Sequence, residues 1–440
     1  MNLNSTTEAI NRIIDESKRN QKKSICFITG VPGAGKTLAG LNIANQRHKF
    51  DENEHAVFLS GNQPLVDVLQ EALARDENER IGVKKKEAQN KAKAFIQIIH
   101  HFRDDAITVN TAPVEKVAIF DEAQRAWDEP SLTNFMTRKK SVPNFNMSEP
   151  EFLISIMDRH PDWAVIICLV GGGQEINTGE AGLQEWFDAL RSKYSNWDIY
   201  ISDKLGDSEY VGSSTVEKLV KGLNYNIVDE LHLAVSLRSF RSEKVSEFVK
   251  ALLDVDKDNA RDLYRALETD YPIVLTRDIG KAKAWVKTQA RGTERYGVTA
   301  SSGAKRLRRF GIWVQSKVEA KNWFLNDQND VRSSYFLEET ATEFDIQGLE
   351  LDWTIIGWDA NFRFENGGFS YYSFKGARWQ RVHSETDKKY LKNAYRVLLT
   401  RARQGFIIFI PHGDESDYTR PNAFYDDTYY YLKSIGVKEV

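Results

Sequence analysis

Residues 30–37, GVPGAGKT, constrain this chain more than any other stretch. They fit G-x-x-x-x-G-K-[ST] in full, after the apolar run SICFITG (24–30) and before the helix-patterned LAGLNIANQRH. Such a loop turns backbone N–H groups inward around phosphate oxygens, and the helix it opens adds positive potential. Gly30, Val31, Pro32, Gly33, Ala34, Gly35, Lys36, Thr37 and Leu38 are therefore expected to hold a nucleotide through its phosphates. Lys36 is expected to reach the β- and γ-phosphates, and Thr37 to bind Mg²⁺.

A phosphate-bound Mg²⁺ calls for a carboxylate at the end of a nearby strand. VAIFDEAQ (117–124) supplies four apolar residues and then Asp121–Glu122. Asp121 suits the metal's outer shell, and Glu122 suits a general base that polarises the attacking water. The bland alternative is an acidic pair capping the next helix. The run AVIICLVGGGQE (164–175) ends in glycines and Gln174, a neutral amide able to orient a γ-phosphate without adding charge.

Apolar runs alternate with helical stretches through both halves of the chain. AVFLSG (56–61), VAIFDEA and WAVIICLVGG (163–172) read as strands in the first half. ELHLAVSLRS (230–239), YGVTASSG (296–303), FGIWV (310–314), WTIIGWD (353–359) and FIIFIP (406–411) read as strands in the second. This pattern predicts an α/β fold of two lobes, 1–225 and 226–440, each a mainly parallel sheet flanked by helices. The charged stretch 76–93 reads as an exposed helix or arm. Residues 361–389, rich in Gly, aromatics and Arg, read as an insertion, with a β-hairpin favoured.

Composition narrows the setting. Hydrophobic residues make up 41% and charged residues 28% of 440, an ordinary globular balance. The net charge of −3 means that a nucleic-acid partner must be held by local basic patches. The two cysteines, Cys26 and Cys168, lie in apolar runs and read as core residues, which favours a reducing, cytoplasmic location. No apolar run has the length of a membrane span, so no membrane partner is expected. The Asn-Lys-x-Asp guanine-reading motif is missing, which disfavours a GTPase.

The order of these pieces resembles the superfamily 1 helicases of the UvrD/RecD type. GVPGAGKT looks like their motif I, VFLSGNQPL (57–65) motif Ia, IFDEAQ motif II and VGGGQE motif III. LAVSLRS (233–239) resembles motif IV, ATEFDIQGLELD (341–352) motif V and YRVLLTRARQG (395–405) motif VI. The wording is closest to bacterial relatives of the helicase-like C-terminal region of Schlafen proteins. The resemblance implies two RecA-like lobes with ATP in the cleft between them. It implies that Arg401 and Arg238 act as arginine fingers, that Arg403 forms a structural ion pair, and that Glu350 lies near the ribose. It also implies nucleic-acid contacts from Thr342 and Gln347, and from Phe58, Ser60, Asn62 and Gln63 of motif Ia. The chain departs from the family at Phe344, where motif V usually has histidine, and near residues 3–10, which lack the glutamine that reads adenine.

SSGAKRLRRFG (301–311) adds a local basic patch. Ser301 and Ser302 are candidate backbone donors, and Lys305, Arg306, Arg308 and Arg309 candidate phosphate contacts, against a plain solvated charged face. The functional expectation is a nucleic-acid-dependent ATPase acting on DNA or RNA, single-stranded for preference, in a phage-defence setting by kinship. The alternative is an NTP-driven switch that controls a partner effector such as a nuclease.

Overall fold

The computed structural model describes residues 2–30, 33–48, 54–171, 182–206, 216–234 and 240–440. The chain divides into two compact units, Met1–Arg238 and Ser239–Val440. In the first, the strands are β1 (Lys23–Gly30), β2 (His55–Ser60), β3 (Ile96–Ile98), β4 (Glu115–Phe120), β5 (Ala164–Leu169), β6 (Asp198–Ile201), β7 (Tyr225–Ile227) and β8 (His232–Leu233). They form one sheet in the order β3-β2-β4-β5-β1-β6-β7, with β8 paired to the end of β1. Every pairing in it is parallel, so all the loops at strand C-termini leave from one edge.

Both faces of this sheet are covered, which is why its strands read as continuous apolar runs. Ile25, Phe27, Ala118, Phe120, Ile166 and Cys168 face one core with Leu132, Phe152 and Trp186. The alternate residues Cys26, Ile28, Val117, Ile119, Val165 and Ile167 face the other, against Ile10, Ile14, Ala39 and Ile43. Burying each of the valine, leucine, isoleucine and phenylalanine side chains among them stabilises the unit by about 1.5–3 kcal/mol. One ion pair is sealed in the same unit. Arg103, with no exposed side-chain surface, donates to Glu149 at 2.8 Å and lies over the Trp127 and Phe135 rings at 5.6 and 4.9 Å. Glu149 also accepts the Trp127 N–H at 3.0 Å.

The second unit holds β9 (Ile273–Thr276), β10 (Tyr296–Ala300), β11 (Thr340–Ala341) and β12 (Leu351–Gly357), then β13 (Phe362–Glu365), β14 (Gly368–Lys375) and β15 (Arg378–Arg381), then β16 (Ala402–Phe409) and β17 (Lys438–Glu439). A parallel sheet runs β11-β10-β12-β16-β9-β17, and β13–β15 form a separate antiparallel meander. The α/β class and the two parallel sheets agree with the sequence expectation. So does the hairpin in 361–389: its Phe364 stacks on Tyr431 of the helix Ala423–Ile435, ring centroids 4.2 Å apart.

Three local expectations are corrected. FGIWV is no strand: a 3₁₀ turn, Lys305–Phe310, ends at Gly311 with φ 79°, and Ile312 and Val314 then enter the core as irregular chain. Of 230–239, only His232–Leu233 is strand, after a 3₁₀ turn at Asp229–Leu231, and 235–239 lie outside the described residues. The stretch 76–93 is the mostly exposed helix of the two readings and not an arm: it runs through the adjoining ends of a helical hairpin, Gln63–Ile81 and Lys85–Phe95, closed at Gly82 and packed through Ala88, Ala92 and Phe95. The expected break at 225/226 and the division after Arg238 differ by β7 and β8, which belong to the first sheet. No described helix is long and apolar enough to cross a membrane.

Candidate functional site

The strand β1 ends at Gly30, and the helix Lys36–Arg47 begins six residues on. Gly33 and Gly35 hold φ of 75° and 88°, a conformation that strains any side-chain-bearing residue, so the turn requires glycine at both. The Lys36 ammonium folds back over the loop to the Gly30 carbonyl at 2.6 Å. Ala34 is buried beneath the loop, and Leu38 is exposed on the helix. Val31 and Pro32 lie outside the described residues.

The strand carrying this loop and the strand ending in Asp121 are not neighbours, because β5 lies between β1 and β4. The parallel sheet still delivers both ends to one edge. There the Thr37 hydroxyl donates to Asp121 Oδ1 at 3.3 Å, and the Asp121 N–H is fixed to the Leu59 carbonyl at 2.9 Å. Burial, and then the neighbouring Glu122 charge, raise the Asp121 carboxyl above its ordinary value, while Thr37 and Lys36 pull it back. A hydroxyl and a carboxylate side by side are hard oxygen donors of the type Mg²⁺ takes, so the residues fit the expected ion.

Glu122 occupies the left-handed region, φ 51° and ψ 48°, a strained backbone of the kind that clusters at active sites. Its carboxylate accepts from Gln124 Nε2 at 2.5 Å. The same amide accepts the Gly171 N–H at 3.0 Å through Oε1, just after β5, and the Gln124 carbonyl accepts the Gly182 N–H at 3.1 Å. Gln124 thus ties the end of β4 to the end of β5. The sequence shows it only as the last letter of IFDEAQ, and only the β4–β5 pairing reveals its partner. Gln174 and Arg238 lie outside the described residues.

In the second unit, Arg401 is buried at the junction of the helix Glu385–Leu399 and β16, where its carbonyl accepts the Leu351 N–H at 3.1 Å. Arg403 donates to Glu350 at 3.2 Å, the structural ion pair expected for it, and Glu350 is the residue expected near a ribose. Ser301 is buried and accepts from Asn361 at 3.1 Å. Ser302 donates both its N–H and its hydroxyl to Glu343, at 2.8 and 2.7 Å. Thr342 likewise gives its N–H and hydroxyl to Asp345, at 2.8 and 2.7 Å, and Gln347 is buried. The hydroxyl protons of Ser302 and Thr342 are therefore already engaged within the unit.

The basic run is divided. Arg306 pairs with Asp417 at 2.9 Å, and its N–H is held by the buried Asp359. Burial pushes the Asp359 carboxyl up to about 6. Arg309 pairs with Asp414 at 2.7 Å, Lys305 reaches the Phe374 carbonyl, and Arg308 lies 3.9 Å over the Trp313 ring. The motif Ia expectation needs correction at Phe58. Its ring has no exposed surface, because β2 points it into the core, so it is packing and not a contact. Ser60 is also buried, Asn62 caps the helix Gln63–Ile81, and Gln63 is exposed on its first turn.

A phosphate loop and carboxylate pair on one parallel α/β unit, joined to a second such unit, define a chain of the helicase-like class. It belongs to the Schlafen group 3, DNA/RNA helicase domain family, whose sequence model matches residues 23–412. No curated protein matches the sequence. Among solved structures, the chain is similar to the DUF1998 helicase MrfA bound to DNA, at 11% identity and TM-score 0.34, with 100% of this chain and 52% of that one covered. The chain thus spans about half the length of MrfA. It is also similar to the Pyrococcus furiosus Hef helicase domain, at 12% identity and TM-score 0.30, with 96% and 97% covered.

Proposed function

We propose that this chain is an ATPase of superfamily 1 helicase type whose turnover depends on single-stranded DNA or RNA. The observation that carries the reading is the joint placement, at one sheet edge, of the glycine loop, the Thr37–Asp121 pair and Glu122 bridged by Gln124 to Gly171. Bound Mg·ATP supplies the scissile phosphoanhydride and the metal's charge. Lys36 and the loop N–H groups would hold the phosphates, and Thr37 and Asp121 the ion. Glu122, oriented by Gln124, would take the proton of the attacking water. Arg401 would add positive charge as the phosphoryl group separates.

ATP turnover by the purified chain, alone and with single-stranded DNA, duplex DNA or RNA, tests this. Strong stimulation by one polymer, abolished in Lys36→Ala, is expected. Turnover that ignores every polymer would refute the nucleic-acid dependence and favour a switch controlled by a protein partner.

A further inference from the structure

Three elements of the second unit enclose a cavity of about 600 Å³. The turn between the helices Phe240–Leu253 and Lys257–Leu267 brings Val255 and Lys257 to it. The β13–β14 turn brings Asn366, and one face of the helix Ala423–Ile435 brings Asp427, Tyr430 and Tyr431. These walls are tied to one another. Tyr431 donates its hydroxyl to the Leu252 carbonyl at 2.7 Å, and its ring stacks on Phe364 of β13. The Phe364 N–H donates to Thr428 Oγ1 at 2.9 Å, and Arg261 donates to the Ser434 carbonyl at 3.2 Å. The space is thus formed before any ligand enters, as in most small-molecule sites. Its rim is also strained. Val255 holds φ 63°, and among the described residues it is the only β-branched one in the left-handed region. Its N–H and that of Asp256 return to the Leu252 and Ala251 carbonyls, at a helix end where glycine is usual. Strain of this kind clusters at ligand sites.

The charges in the cavity indicate its ligand. Lys257 and Asp427 line one space, yet neither forms an ion pair with the other or with any charged group among the described residues. Their neighbours are engaged elsewhere: Asp254 with Lys250 and Lys392, Asp256 with the Asn259 N–H, Asp258 with Arg261, and Asp426 with Arg277. Lys257 opens an 11-residue helix, where the peptide dipole is positive, so its ammonium is a seat for an anion. The Asp427 carboxylate only accepts hydrogen bonds and so selects N–H donors. Tyr430, 62% exposed, offers a ring face on the same helix as Asp427. An α-amino acid carries both its charges on one carbon and would draw Lys257 and Asp427 together. Two opposite charges that stay apart suit a ligand whose anion and N–H donors lie at opposite ends of a planar body. We infer that this cavity is a second nucleotide site, made by residues other than the glycine loop, for a mononucleotide with an amino-bearing base. Lys257 takes its phosphate, Tyr430 stacks on its base, and Asp427 accepts from its amino group.

The test is calorimetric titration of GMP, AMP and UMP into the full chain and into Lys257→Gln, Asp427→Asn and Tyr430→Ala. Unchanged thermal melting verifies that the variants fold. GMP and AMP should bind the parent at least about ten-fold more tightly than UMP, which has no amino group. Asp427→Asn should erase that preference, because an amide donates as well as accepts. Lys257→Gln should weaken all three nucleotides about ten-fold and leave guanosine, which has no phosphate, unaffected. Tyr430→Ala should weaken GMP about five-fold or more. No binding of GMP or AMP to the parent overturns the inference. So does GMP affinity that is equal in the parent, Lys257→Gln and Asp427→Asn, since the nucleotide is then held elsewhere. ATP turnover with nucleic acid is a separate readout, so these outcomes leave the proposed function standing.

Discussion

Replacing Glu149 with alanine should destabilise the first unit more than any single surface change. Arg103 has no exposed side-chain surface and Glu149 has 4%, so neither charge can turn to water when its partner is removed, and Asp104, 3.7 Å from the Arg103 Nε, is too far to replace the lost hydrogen bond. Stranding one member of such a buried pair costs about 3–5 kcal/mol. The Trp127 N–H loses its acceptor in the same substitution, so the upper half of that range is expected. For a unit of this size the melting point should fall by roughly 8–20 °C. Urea unfolding followed by tryptophan fluorescence is a suitable assay, since Trp127 packs beside the Arg103 guanidinium. The double variant Arg103→Met, Glu149→Met removes both charges and should recover most of the loss. A cost below about 1 kcal/mol for Glu149→Ala, or a double variant as unstable as the sum of the singles, would refute the idea that the pair acts as a closed unit.

Two further outcomes are expected. Gln124→Ala cuts the bridge from Glu122 to Gly171 and should lower kcat for ATP hydrolysis by about 100-fold with little change in KM; an unchanged kcat would show that Glu122 is positioned otherwise. Asp359 has a folded value of about 6 against 3.8, so its contribution to stability is full below 3.8 and is lost as pH rises through 6. Between pH 5 and 7 the parent should therefore lose roughly 1 kcal/mol relative to Asp359→Asn, read by urea unfolding at each pH, and a flat difference would contradict the assignment.

The strands that reach the phosphate edge were legible because burial on both faces leaves only apolar residues in them, as in SICFITG and AVIICL. Two-residue strands such as β8 and β11 are too short to show any periodicity, and pairing alone defines them. FGIWV alternates like a strand, but Gly311 turns the chain before a partner can be met. Phe58 sits beside polar motif residues in sequence, and only the face of β2 on which it falls shows it to be core. The basic run gave no hint of its own neutralisation, because Asp414 and Asp417 lie 105 and 111 residues from Arg309 and Arg306. Gln124 is a further instance of this limit, since its partner at Gly171 is 47 residues away.

The two-residue strand β8 has a consequence for cutting the molecule apart. Leu233 pairs with Gly30, the first residue of the glycine loop, and Leu231 and Leu233 are wholly enclosed. The Thr29 hydroxyl meets the His232 ring at 2.9 Å in the same place. A proteolytic or recombinant fragment that stops at 225 would thus lose the floor under its own loop and open an apolar hole beside it. One that runs past Leu233 keeps that floor, so a fragment meant to preserve the glycine loop should extend beyond β8.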